Sequence, residues 1–174
     1  MAILTKPIQN NYVKQLSIYQ QISTNADHID IKSDVGTVSM NQFIAGMFIY
    51  QPAWISFLYR VRWLFVRLLG MKQEGIPQPL HFDAETLKLT VGDKLGFFDV
   101  DAVEPNRYLF LSAEESHLKA TLGVICEPLD DTNSRFYAVT IVHYKSWAGP
   151  IYFNIIRPFH HIVVRQMLKT GIQT

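Results

Sequence analysis

The C-terminal third, SRFYAVTIVHYKSWAGPIYFNIIRPFHHIVVRQMLK, constrains the fold more than any other segment. From Arg135 to Lys145 it is apolar at odd and even positions alike, the pattern of a strand covered on both faces. Gly149 and Pro150 then break the run, and an amphipathic stretch of helical period continues to about Lys169. Within it Asn154, Arg157, His161 and Arg165 recur at spacings of three, four and four and mark the side expected to face water. Ile151, Tyr152, Ile155, Ile156, Phe159, Ile162 and Val163 mark the side expected to be buried. Pro158 lacks an amide donor, so a kink or a division into two segments is expected there. A chain ending in this way needs a sheet for its last helix to lie on.

The preceding text supplies one. In ADHIDIKS the residues Ile29 and Ile31 alternate with His28, Asp30 and Lys32, which predicts a first strand. Turn residues follow, with Ser39 as a candidate N-cap for a first helix. Pro52 separates that helix from a second, Ala53 to Leu69, which Gly70 is placed to stop. The Gly- and Pro-rich GMKQEGIPQPLHFD reads as a rim loop. Thereafter alternation predicts strands through Leu87, Leu89 and Val91, through Phe98, Val100 and Ala102, in RYLFLS, and in HLKATLGVICE, with DDTNS as a turn before the last strand. Short links between consecutive strands imply an antiparallel meander. Residues 1–25, polar and weakly periodic, are expected to form an extension wrapping a single domain of residues 26–174.

Composition narrows the function classes. A chain of 174 residues with 48% hydrophobic content supports one well-packed domain. A net charge of +1 without a basic run argues against nucleic acid as a partner. Cys126 stands alone, so no intramolecular disulfide can form, which fits a cytoplasmic location, and the first residues lack the pattern of a secretory signal. No charge occurs from Val35 to Tyr59, but Asn41, Gln42, Gly46, Gln51 and Pro52 interrupt the run and Arg60 and Arg62 follow. That reads as two packed helices rather than stable membrane insertion.

One strand, two helices, a meander and a long closing helix form the helix-grip order. The Trp54 region with Arg62 to Gly70, then GDKLGFFDV, SHLKATLGV, the W-x-G-x-x-Y of Trp147 to Tyr152, and Pro158-Phe159-His160 with a following Ile-Val resemble a bacterial family. It is known as domain of unknown function 2867 and is similar to the START-like (SRPBCC) superfamily. The resemblance covers roughly residues 26–170, and its most specific parts are His117-Leu118, Thr140, Gly149, Tyr152 and Pro158-Phe159-His160. Where the family usually carries a basic residue after the glycine and after the histidine, this chain has Pro150 and His161. The resemblance implies an α+β helix-grip fold, a curved antiparallel sheet around a long C-terminal helix with two short helices after the first strand. It also implies a cavity between sheet and helix, and no particular reaction.

His117 opens a strand and His143 lies in the next, so the two approach each other if those strands pair. Without an HxH, HExxH or CxxC spacing no metal is expected. Adjacent His160 and His161 point about 100° apart on a helix and are not expected to share a site; His160 is expected to bond a carbonyl freed by Pro158. Asp99 and Asp101 read as the solvated face of a strand. There is no GxSxG elbow, no P-loop and no Gly-rich dinucleotide fingerprint, and Cys126 reads as inert packing.

Eleven Phe, eight Tyr and three Trp supply ring surface suited to an apolar pocket. The expectation is therefore a hydrophobic small molecule held between the sheet and the C-terminal helix, oriented by His117, Thr140 and Tyr144, with Trp63, Tyr152 and His160 also in contact. Neither a catalytic residue nor a cofactor is expected. Trp63 interrupts the polar side of its helix and suggests a second contact surface, with a homodimer as one outcome. Two alternatives stay open: a cyclase- or dehydratase-type enzyme using the same cavity with His117 or an aspartate as base, and a non-catalytic protein-interaction module.

Overall fold

The computed structural model describes residues 10–49, 67 and 87–173. The strands are β1 (His28–Gly36), β2 (Lys94–Leu95), β3 (Phe98–Glu104), β4 (Tyr108–Glu114), β5 (Leu118–Pro128) and β6 (Ser134–Tyr144); the helices are α1 (Asn11–Gln15), α2 (Ser17–Ser23), α3 (Met40–Ile49) and α4 (Ala148–Gln173). All neighbouring strands are antiparallel, in the order β1-β6-β5-β4-β3-β2. With α4 lying across one face, this is the expected α+β helix-grip fold. Of the two helices expected after β1, α3 is present, while the run from Ala53 to Leu69, Trp63 included and Arg67 excepted, and the rim loop lie outside the described residues.

The doubly apolar text of β6 has its cause in the layers. Phe136 and Ala138 pack with Met40, Phe43 and Ile44 of α3 and with Val164 and Leu168 of α4. Tyr137, Val139 and Ile141 point the other way, against Val13 of α1, Tyr19 of α2 and Leu16 at the joint between them. The polar N-terminal extension is thus two short helices that insert these three apolar side chains into a second core on the back of the sheet. Tyr12, Ile18 and Ile22 pack partly buried against the same core, and the polar residues interspersed among them hide the signal in composition.

Local chemistry sets the joints. Ser39 caps α3 as expected: its hydroxyl accepts the Gln42 N–H at 3.2 Å while Gln42 Oε1 accepts the Ser39 N–H at 2.9 Å, a reciprocal capping box. Between β5 and β6, Asp130 Oδ1 accepts the N–H groups of Thr132 at 2.9 Å and Asn133 at 2.8 Å. These bonds hold its carboxyl down to about 2. In β3 the pairing skips a residue between Val100 and Ala102. This bulge puts Val100 in the α3–α4 core and Ala102 in the α1–α2 core, although both share one strand parity.

Three expectations are corrected. Residues 87–90 form no strand, and a turn follows at Val91 and Gly92. The long helix is not divided at Pro158 and runs from Ala148 to Gln173. Its buried side is also rotated: Tyr152, Phe153, Val164 and Leu168 are buried, whereas Ile151, Phe159 and Ile162 are 45%, 43% and 51% exposed.

Candidate functional site

Two places carry the chemistry of the described residues. The first is a polar seam where α4 crosses β1 and β6. Asp30 pairs with Thr140 across the β1–β6 ladder, so both lie on the face turned to α4, together with His28 and Lys32. From the helix, His160 places Nε2 3.0 Å from Thr140 Oγ1. His161 places Nδ1 3.0 Å from Lys32 Nζ and 3.3 Å from Asp30 Oδ2, and Lys32 forms an ion pair with Asp30. Nδ1 of His161 thus stands between an ammonium that can only donate and a carboxylate that can only accept, and the ring's tautomer selects which of the two it bonds. The His28 ring lies 6.0 Å from that of His161 and 4.8 Å from Phe153.

This arrangement corrects the reading of the histidine pair. Their rings do diverge, but the curved sheet offers partners to both: Thr140 to one, Asp30 with Lys32 to the other. His160 meets a hydroxyl rather than a carbonyl freed by Pro158. Burial, reinforced by His161 and Lys32, holds His160 down to about 4. Burial and the Arg157 guanidinium lower His28 as well. Among the described residues no group of three His, Cys, Asp or Glu is arranged to hold a metal ion.

The other predicted contacts gather at the N-terminal end of α4. His117, 1% exposed, sets its ring edge-on to Tyr152 at 4.6 Å and its Nε2 3.4 Å from Glu115 Oε2. The His117 carbonyl accepts the Lys145 N–H at 2.8 Å. Gly149 sits so close above it that a Cβ there would lie 2.6 Å from that oxygen. Tyr144 donates its N–H to Asp27 Oδ2 at 2.6 Å, and burial raises its phenol. His143 does not approach His117. It pairs with Lys119 on the opposite face of the sheet and contacts the Thr24 carbonyl at 3.0 Å. Asp99 and Asp101 each pair with a lysine, Lys94 at 3.0 Å and Lys119 at 3.1 Å, as suits a solvated strand face. Cys126 is buried, and burial raises its thiol.

The second place is a pocket of about 290 Å³ between α3, the β3–β4 hairpin and residues 87–89. Met40, Ile44, Leu87, Leu89, Val103 and Leu109 give it apolar walls, and Asn41, Lys88, Glu104 and Asn106 bring polar groups to it. Asn41 donates to the Leu87 carbonyl at 3.4 Å, tying the residues 87–89 to the helix. None of His117, Thr140, Tyr144, Tyr152 and His160 lines this pocket. The signal that could have found it is the Met40–Ile44 spacing, one helix face aimed at the strand pair that turns at Pro105-Asn106.

A family model described as "Protein of unknown function (DUF2867)" matches residues 23–167. No curated protein matches the chain. Among solved structures, truncated norcoclaurine synthase from Thalictrum flavum aligns over 81% of this chain and 90% of its own, with 10% identity and a TM-score of 0.39.

Proposed function

The chain belongs to the DUF2867 family, and from that premise we propose that it binds a compact hydrophobic small molecule in the pocket between α3 and the β3–β4 hairpin. The observation that carries this reading is the pocket's lining: six apolar side chains from three separate segments converge on one volume, with a few polar groups at hand. About 290 Å³ stands at the lower end of ligand-pocket volumes, which favours a small guest over a long acyl chain. Burial of the guest's apolar surface would drive binding at about 25 cal/mol per Å² removed from water. Asn41, whose amide reaches the pocket, is the group best suited to orient a polar end of the guest.

Native mass spectrometry of the purified protein tests the reading directly, together with displacement of an environment-sensitive probe such as 1-aminoanthracene by a library of small apolar compounds. Retention of a small molecule, or saturable displacement, is the expected result. A protein that carries no guest and does not brighten the probe would overturn the proposal.

A further inference from the structure

The outer face of α4 has the wrong chemistry for a helix that meets only water. Ile151, Phe159 and Ile162 are 45%, 43% and 51% exposed, and Ile155 between them is half-buried. On a helix these four positions fall within about 80° of one another and extend for about 17 Å. They form one continuous apolar stripe where polar residues are the rule. Beyond the stripe, Arg165 and Lys169 project from the same face, exposed and without an ion pair among the described residues. From Ala148 to Gln173 there is no acidic residue, against the three permanent cations Arg157, Arg165 and Lys169. Trp147, immediately before the helix, is 71% exposed.

We propose that this face docks reversibly on an anionic lipid bilayer surface, with α4 lying in the interfacial plane. An apolar ridge flanked by cations is the pattern by which helices bind that interface. A symmetric dimer that packs two copies of the stripe in parallel is disfavoured by charge, because it would set Arg165 and Lys169 of one copy beside those of the other without an acid on the helix to compensate. A ridge on a single helix also suits a fluid surface, which can close around it. Among the described residues no helix is long and apolar enough to cross a membrane, so the binding is peripheral. The inference does not depend on the ligand reading, since no residue of the stripe lines the pocket.

The test is co-sedimentation of the full chain with phosphatidylcholine vesicles containing or lacking phosphatidylglycerol. The expected result is a preference of at least about tenfold for the anionic vesicles, weakened by salt as screening predicts. Ile162→Glu should reduce binding by at least about tenfold. The double variant Arg165→Glu/Lys169→Glu, confined to exposed side chains and checked by thermal melting, should abolish the anionic preference even if the first variant misfolds. A dye attached at Phe159→Cys, selective because Cys126 is buried, should shift to the blue only when anionic vesicles are added. Equal binding to both vesicle types, or none, overturns the proposal. So does a dimer that Ile162→Glu dissociates, which would assign the stripe to a second copy, or a dye already shielded in the vesicle-free monomer.

Discussion

His160 Nε2 lies 3.0 Å from Thr140 Oγ1, and this pair joins the middle of the long helix to the strand beneath it. Burial of the ring, reinforced by His161, Lys32 and His28 against the opposing Asp30 carboxylate, lowers its pKa to about 4 from 6.5. The sign follows from proton counting. Between those two values the unfolded chain binds a proton that the folded chain refuses, so stability rises with pH across that window and is flat above it. Full loss on acidification amounts to at most about 3 kcal/mol, with His28, also lowered, adding in the same sense. Urea titrations at stepped pH should show this slope, and His160→Phe should flatten it. An unchanged slope in the variant would place the proton elsewhere.

Gly149 is held by a backbone contact, not by a turn. A Cβ there would stand 2.6 Å from the His117 carbonyl oxygen and 3.1 Å from Tyr144 Cβ. Gly149→Ala should therefore destabilise by about 1–3 kcal/mol, despite the gain in helix propensity that alanine brings. The measurement is the shift in denaturation midpoint. A stabilised variant would mean that α4 can slide off β5 without cost.

Leu16 is 5% exposed in the core that α1 and α2 share with Phe110, Ile125, Tyr137, Val139 and Ile141. Leu16→Ala should cost about 2–3 kcal/mol, the ordinary loss for a buried leucine that leaves a cavity. A surface extension would lose about 0.5 kcal/mol or less, so equilibrium unfolding distinguishes the two descriptions.

Leu89 is half-buried at the wall of the pocket. Leu89→Trp should fill part of the 290 Å³ volume and weaken binding of an apolar probe by at least about tenfold while leaving the melting temperature within a few degrees. Undiminished probe binding would move the ligand site away from α3.

Much of the architecture was legible because its signals are local. The Ser39 cap, the DDTNS turn and the two-faced apolar text of β6 each depend on residues a few positions apart, and each stands in the structure as the text implies. The candidate site was less legible. Leu87 and Leu89 alternate as a strand would, yet they have no ladder partner among the described residues and serve as pocket wall instead. Alternation cannot tell these uses apart, because both require one apolar face. The bulge in β3 is a second case: a single unpaired residue reverses the face of everything after it, and no residue type announces it.

The amino-acid sequence by itself determined the helix-grip order, since hydrophobic period, capping and turn chemistry act over a few residues and need no distant partner. Only the tertiary structure decided which side of α4 lies inside. By composition the isoleucines belong there and His161 outside. But β1 presents Asp30 and Lys32 to the helix, and β6 presents Thr140, so the cheapest burial is the one that gives these groups hydrogen-bonding partners. His160 and His161 supply them, and the helix turns its isoleucine stripe outward as a result. Such a choice depends on what stands across the interface, which a linear text does not contain.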